Sequence, residues 1–168
     1  VTDKAGWGKK MAAGSGMGLS ISSAQERNTP TWTGCVVEVD VNKSTGEFKV
    51  KKMTIAIDVG TAVNPDAVKA QVEGSALWGL SIAIKEQAIM QDGAIQQTNF
   101  DTYDVLRMED VPEMDITVLS PGQYPVGCGE PGVTVVAPAI ANAIFNASGV
   151  RVRDLPITPD TIKNAVTG

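Results

Sequence analysis

The feature that most constrains the fold is a strand–turn–strand pattern between residues 31 and 57. From Thr31 to Val41, valines alternate with acidic side chains, which is the period of a half-buried β-strand. Residues 42–46 (NKSTG) have the turn chemistry of a hairpin with a glycine at positive φ. The chain then returns as a second strand over residues 48–57. The sequence therefore predicts an antiparallel hairpin.

A long helix is predicted soon after this hairpin. Asn64 suits the N-cap position, and Pro65 suits the first helical position, where its missing N–H costs nothing. Apolar residues then recur at helical spacing as far as about Glu86. Gly74 and Gly79 interrupt this helix at a cost of about 1 kcal/mol each relative to alanine. We interpret them as places where either a neighbouring helix or a bound cofactor approaches the backbone.

The remaining patterns complete an α+β fold. We expect a mixed β-sheet with one long and one shorter helix packed on it, in a single domain spanning residues 1–168. The chain opens without an initiator methionine, and we interpret this opening as the boundary of a fragment. The other expected elements are strands over residues 17–24 and 114–119, short strands over 87–90 and 94–97, a helix over 137–147 and a final helix from residue 158.

The composition excludes several classes of protein. The chain has no histidine, which excludes Ser–His–Asp and Cys–His catalysis and histidine-ligated metal sites. A net charge of −5 with scattered basic residues excludes a nucleic-acid-binding surface. No apolar run approaches the ~20 residues of a membrane span, and no signal peptide is recognisable. Any chemistry must therefore come from carboxylates or from a cofactor.

The two cysteines, Cys35 and Cys128, lie far apart in sequence. Without a Cys-x-x-Cys pair, the chain cannot build a zinc ribbon or a cysteine-ligated iron–sulfur cluster. A disulfide between the two stays open as an alternative, although nothing in their spacing favours it.

Two glycine-rich segments differ in what they indicate. Residues 14–18 (GSGMG) lack the preceding strand and following helix of a dinucleotide loop, so we expect them to lead into a strand. Residues 126–132 (VGCGEPG) hold a single carboxylate, Glu130, between glycines and a proline. A carboxylate with few local partners on a stiff turn suits proton transfer or contact with a bound group. An ordinary surface turn is the alternative.

Three ordered motifs make the chain recognisable: residues 58–65 (DVGTAVNP), 71–80 (QVEGSALWGL) and 127–131 (GCGEP). With these motifs, the chain resembles the C-terminal, molybdenum-cofactor-binding domain of the large subunit in the xanthine dehydrogenase and aldehyde oxidase family of molybdenum hydroxylases. Residues 96–100 (QQTNF) and 103–108 (YDVLRM) are similar above all to the isoquinoline 1-oxidoreductase beta-subunit branch. Bacterial aldehyde dehydrogenases of the family share much of this pattern. The resemblance covers nearly the whole chain.

The resemblance implies which residue does the chemistry. Glu130 matches the family's active-site base beside molybdenum. The enzyme would oxidise aldehydes or hydroxylate N-heteroaromatics with water-derived oxygen, and electrons would leave through iron–sulfur centres on a partner. A non-catalytic module of the same fold, which holds the cofactor or serves in assembly, is the main alternative. A metal-free carboxylate hydrolase would need a second carboxylate near Glu130; the candidates are Asp101, Asp104 and Glu109, and their spacing selects none.

A further set of residues is implied as the cofactor-binding surface. Candidate contacts to the pterin cofactor are Gln71 and the backbones of Gly74 and Gly79, while a helix packed on a sheet would explain the glycines equally well. No residue of this chain is expected to ligate the metal. We interpret Asp58 and Asn64 as loop-shaping residues, and Cys128 as a semi-buried structural thiol. The turn contributes Gly127, Cys128 and Gly129 to the cofactor-binding set.

The resemblance also implies an assembly. We expect a molybdenum–molybdopterin cytosine dinucleotide cofactor shared with missing domains of the same large subunit, and iron–sulfur clusters on a small partner subunit. The substrate would be a small aldehyde or N-heterocycle, with no nucleic acid and no transmembrane segment in this chain. The isolated chain is expected to be inactive. Its compartment, cytoplasm or periplasm, is not indicated.

Overall fold

The fold is built on a four-stranded mixed sheet, seen in the computed structural model, which describes residues 1–24 and 29–167. The strands are β1 (Ser15–Ala24), β2 (Thr31–Val41), β3 (Phe48–Asp58), β4 (Met90–Gln91), β5 (Ala94–Ile95) and β6 (Glu113–Leu119). The helices are α1 (Thr2–Ala5), α2 (Pro65–Ile84), α3 (Pro131–Thr134), α4 (Val136–Ser148) and α5 (Pro159–Thr167). The sheet order is β1-β2-β3-β6, antiparallel between the first three strands and parallel between β3 and β6. Strands β4 and β5 form a separate two-stranded sheet.

The expected α+β architecture is confirmed, with four differences in detail. Helix α2 ends at Ile84, slightly before the expected end, and α4 is longer by one residue at each end than the helix expected over 137–147. The short helix α3, which precedes α4, was not expected. Strands β4 and β5 have only two residues each, because little beyond their own turn supports them.

The central hairpin forms as its sequence predicts. Asn42 closes the turn by accepting a hydrogen bond from the Ser44 backbone N–H at 3.0 Å, and the Gly46 N–H donates to the Asn42 carbonyl at 2.8 Å. Gly46 has a φ of 78°, in the left-handed region that glycine adopts without steric cost. Strands β2 and β3 then pair along their length, with one register shift after Glu38. The observed turn and strand pairing therefore agree with the hairpin predicted from the local sequence.

The core lies between the sheet and the helices α2 and α4. Apolar side chains of β2 and β3, such as Val37 and Ile55, are fully buried together with Leu80 of α2 and Ile140 of α4. Removing these side chains from water supplies most of the driving force for folding. The sheet is thereby held rigidly against the two helices that flank the candidate site.

Two glycines of the segment 14–18 allow α4 to pack closely on the sheet. A Cβ on Gly16 would lie 2.5 Å from the Ala143 carbonyl oxygen, and one on Gly18 would overlap the Ala139 carbonyl oxygen. Both glycines lie in β1, directly beneath α4. The prediction that this segment leads into a strand is confirmed, and close approach of α4 to the sheet explains Gly16 and Gly18.

The ranges 1–24 and 29–167 contain no helix that combines the length and the apolar character required to cross a membrane.

Candidate functional site

The loops that follow β3 and β6 meet at one edge of the sheet. The Val59 N–H donates to the Leu119 carbonyl at 3.3 Å, and the Val126 N–H donates to the Val59 carbonyl at 3.1 Å. Gly60, at a φ of 70°, lies so close to the Tyr124 carbonyl that a Cβ would overlap it. Since the carboxyl ends of parallel strands form the usual ligand-binding crevice of an open sheet, this edge is the natural place for a site.

Asp58 and Asn64 shape the first of these loops, as expected from the sequence. The Asp58 carboxylate accepts a hydrogen bond from the Gly60 N–H at 3.0 Å. The Asn64 side chain caps α2 by accepting from the Ala67 N–H at 3.1 Å, and Pro65 occupies the first turn. Their observed contacts fit the loop-shaping interpretation.

The structure brings Gln71 to the glycine-rich turn. Gln71 Nε2 donates to the Gly129 carbonyl at 3.3 Å. On the opposite side of the turn, the buried Thr31 hydroxyl donates to the Gly127 carbonyl. Sequence reasoning missed Thr31, because no local pattern distinguishes it from any other strand threonine. Three of the residues expected at the site, Gln71, Gly127 and Gly129, therefore lie together around Glu130.

Glu130 is exposed and is the N-cap of α3. Pro131, at the first helical position, is buried, so the residue after the glutamate is anchored in the core. The Val133 N–H donates to the Glu130 carbonyl at 2.9 Å. Across residues 1–24 and 29–167, no hydrogen bond or ion pair reaches the Glu130 carboxylate. This carboxylate is thus held on a fixed backbone and is available to a group from outside.

The two helical glycines have different surroundings. A Cβ on Gly79 would lie 2.9 Å from the Val133 carbonyl oxygen and 3.1 Å from Val136 Cβ, so a neighbouring helical segment already occupies that space. Gly74 is exposed, and a Cβ there would meet nothing within 4 Å. Helix packing therefore accounts for Gly79, whereas the backbone at Gly74 is open to approach by a group outside the chain.

Both cysteines are free thiols. Cys35 is fully buried in β2, and burial raises the pKa of its thiol to about 12. Cys128 is half-buried and packs against the edge of the core. The disulfide alternative is therefore not realised, and the position of Cys128 fits a structural thiol.

Two of the candidate second carboxylates, Asp104 and Glu109, lie far from the Glu130 turn. Asp104 lies 3.8 Å from the Lys85 ammonium, at the C-terminal end of α2. Gln71, which contacts the Glu130 turn, lies fourteen residues earlier on the helix, roughly 21 Å at 1.5 Å per residue. Glu109 belongs to the short 3₁₀ turn Met108–Asp110 at that same distant end. Among the residues whose structure is described, no group of three or more His, Cys, Asp or Glu side chains is arranged to hold a metal ion.

An ion pair ties the segment that leads to β6 onto the end of α2. Lys85 Nζ lies 2.9 Å from Asp110 Oδ2. The hydrogen bond from Lys85 lowers the pKa of the Asp110 carboxyl, and the same bond raises the pKa of Lys85. The pair therefore contributes stability above the unfolded-state aspartate pKa of about 3.9 and below the unfolded-state lysine pKa of about 10.4.

The Lys85→Met variant should test this contribution. We expect a loss of about 1 kcal/mol or less in the free energy of unfolding at pH 7. The difference from wild type should shrink as the pH falls through the lowered pKa of Asp110, because protonation removes the charge of the partner. Urea unfolding at pH 7 and pH 3 measures both values. Lys69→Met, an exposed lysine on the same helix, is the control, and a pH-independent loss in Lys85→Met would contradict the assignment.

Comparison with known proteins gives consistent matches. Residues 9–112 match the family model described as a molybdopterin cofactor-binding domain. The chain is 48% identical over 168 residues to the membrane-bound aldehyde dehydrogenase (pyrroloquinoline-quinone) of Gluconacetobacter polyoxogenes, covering 99% of this chain and 22% of that protein. It is 35% identical over 159 residues to isoquinoline 1-oxidoreductase subunit beta of Brevundimonas diminuta, covering 95% and 20%. The crystal structure of quinoline 2-oxidoreductase from Pseudomonas putida 86 matches with a TM-score of 0.73 and 26% identity, over 82% of this chain and 19% of that one. The chain spans about a fifth of the length of these relatives.

Proposed function

This chain belongs to the molybdopterin cofactor-binding domains of the xanthine dehydrogenase family, and on that premise we propose that it forms one wall of the molybdenum-cofactor site in a larger oxidoreductase. The observation that carries the proposal is Glu130, an exposed carboxylate on a turn whose backbone is anchored on both sides. Such a group suits proton transfer at a site completed by other parts of the enzyme.

The residues at this edge fit a pterin cofactor by their chemistry. Gln71 offers an amide that can donate and accept hydrogen bonds, as the edges of a pterin require. Gly74 leaves open backbone beside it, and glycine permits the close approach of a flat or phosphorylated group. The turn residues Gly127, Cys128 and Gly129 would lie on the same side as Gln71. We retain Gly79 among the candidate contacts, although its observed neighbours are Val133 and Val136.

The bound cofactor supplies the redox chemistry, while the protein supplies orientation and one base. Glu130 would accept a proton from the water-derived oxygen nucleophile as that oxygen adds to the substrate carbon. The anchored backbone restricts the positions that the carboxylate can take, which lowers the entropic cost of reaching a reactive geometry. In this structure Glu130 faces solvent, so the remainder of the large subunit would have to cover it to exclude bulk water.

The wider assembly belongs to the same proposal. The substrate would be an aldehyde or an N-heteroaromatic compound. One relative that matches this chain is named as an aldehyde dehydrogenase, and another is named as an isoquinoline oxidoreductase. We propose the cytosine dinucleotide form of the cofactor, a large subunit that contributes the other walls, and a small subunit that carries the iron–sulfur clusters. The isolated chain would then be inactive.

The decisive experiment is Glu130→Gln in the complete enzyme that carries this chain, with molybdenum content and turnover both measured. Normal metal content with activity lost supports the base assignment. Normal metal content with wild-type turnover would remove Glu130 from the mechanism and favour the non-catalytic cofactor-holding module.

The Gly74→Ala variant tests the open helix backbone as a cofactor contact. In the isolated chain we expect the free energy of unfolding to rise by about 0.5–1 kcal/mol, because alanine replaces glycine in a helix without a steric conflict. In the complete enzyme we expect molybdenum content to fall, since the added methyl group would occupy the approach to the backbone. Metal analysis and urea unfolding measure the two effects. A stabilised variant with full metal content would show that Gly74 is not a contact.

A further inference from the structure

One face of α2 lies against the segment that begins at Glu130. Gln71, Ser75 and Gly79 follow one another at intervals of four residues, and residues at this spacing share one side of a helix. Gln71 Nε2 donates to the Gly129 carbonyl at 3.3 Å. The glycine-rich turn is therefore bonded to the first residue of this face.

The other two residues of this face contact the backbone of α3. Ser75 is buried, and its Oγ lies so close to Gly132 that a Cβ on that glycine would overlap it. Ser75 donates to the Val72 carbonyl within its own helix at 3.1 Å, which restricts its rotamer. A Cβ on Gly79 would lie 2.9 Å from the Val133 carbonyl oxygen and 3.2 Å from Val133 Cα. Helix α3 therefore rests directly on α2, with backbone against backbone at Gly79.

Val133, which contacts Gly79, is connected to Glu130 through the backbone of α3. The Val133 N–H donates to the Glu130 carbonyl at 2.9 Å, and the intervening Pro131 is buried. A displacement of Val133 should therefore carry the backbone of Glu130 with it, because this hydrogen bond joins the two residues within one helical turn. The Glu130 side chain, which is exposed, would then project from a shifted Cα.

We propose that the Gln71–Ser75–Gly79 face of α2 sets the position of the Glu130 carboxylate, with these three as positioning residues. The inference rests on the proposed role of Glu130 as the base. It assigns to α2 a task beyond covering the sheet, because the small residues at its second and third positions determine how closely α3 approaches. Gly79 then acts through the geometry of α3, and unchanged molybdenum content in its alanine variant would distinguish this role from direct contact with the cofactor.

The test is Gly79→Ala in the complete enzyme. The added Cβ would push the Val133 backbone away by a few tenths of an ångström. We expect kcat to fall about tenfold, because misplacement by 1 Å can cost ~100-fold. The KM for substrate should stay within about twofold and the molybdenum content should be unchanged, since neither depends on the exact position of the base.

A matched core variant separates positioning from loss of stability. Ile144→Val lies buried near the far end of α4 and should destabilise the chain by about 0.5–1.5 kcal/mol. Its kcat should stay close to wild type. An equal loss of kcat in Ile144→Val would attribute the effect of Gly79→Ala to general destabilisation and overturn the inference.

The Glu130→Gln background shows whether α2 acts through Glu130. If it does, the double variant Glu130→Gln/Gly79→Ala should have the same kcat as Glu130→Gln alone. The effects of two substitutions that act through the same group are not additive. A further tenfold loss in that background would overturn the inference while leaving the base assignment intact. Wild-type activity in Glu130→Gln alone would instead refute the proposed function.

Ser75→Ala is the second variant, because it removes an atom and so does not threaten folding. We expect a smaller loss of kcat, about threefold, because the variant removes the Ser75 hydroxyl beside Gly132 but pushes no backbone atom aside. As with Gly79→Ala, this loss should be absent in the Glu130→Gln background. If Gly79→Ala fails to accumulate, this variant decides the question. Wild-type kcat in Ser75→Ala would then overturn the inference.

Discussion

Replacing Glu130 with glutamine should lower kcat by at least ~100-fold in the complete enzyme, in the upper part of the range for a positioned acid–base group. Glutamine has nearly the shape of glutamate but cannot take up a proton at neutral pH. The backbone anchors of the turn, from Thr31 and Gln71, do not involve the Glu130 side chain. The fold and the metal content should therefore survive, and steady-state kinetics with metal analysis measure the outcome.

Glu109→Gln is the matched control for this experiment. It makes the same chemical change in an exposed carboxylate that lies at the far end of α2. We expect its kcat to stay within about twofold of wild type. A comparable loss in Glu109→Gln would revive the two-carboxylate alternative, which the long separation along α2 argues against.

The Gly18→Ala variant should show the largest loss of stability, about 3 kcal/mol or more. The new Cβ would overlap the Ala139 carbonyl oxygen and the Ala143 nitrogen of α4. Backbone atoms cannot rotate away as a side chain can, so α4 would have to move off the sheet. Overpacking of this kind typically costs about 1–3 kcal/mol and occasionally more. Urea unfolding of the 168-residue chain measures the change.

Gly34→Ala provides the comparison, because it is also a glycine in the sheet. There the nearest atom to the new Cβ is the Val1 side chain, at 3.2 Å, and that side chain can move. We expect its free energy of unfolding to change by less than about 1 kcal/mol. Equal losses in the two variants would mean that strand glycines matter here for backbone conformation and not for the approach of α4.

Local chemistry made much of the fold predictable from the sequence. The hairpin turn at 42–46 and the Asn64–Pro65 helix start each depend on residues a few positions apart, and both are confirmed. A strand over 114–119 was also expected, but the parallel pairing of β6 with β3 was not. That pairing depends on contacts between distant segments, which no periodic pattern records.

The candidate site shows the same division between local and distant effects. A lone carboxylate between glycines and a proline indicated an exposed group on a stiff turn, and Glu130 is exposed. Helix α3 was missed because a four-residue helix has no detectable period and here forms against α2. The support from Ser75 was missed for a related reason, since a serine inside a helix carries no local signal of the distant backbone that it contacts.

The parallel pairing of β3 with β6 also has a consequence for the order in which the chain folds. Strands β1, β2 and β3 can form from neighbouring segments, but Leu119 can pair with Asp58 only after the long connection through α2 has closed. Closing such a connection costs chain entropy before any pairing rewards it. The edge that carries Glu130 should therefore assemble late. A cofactor that needs this edge cannot guide the early steps of folding, so we expect loading to follow completion of the domain.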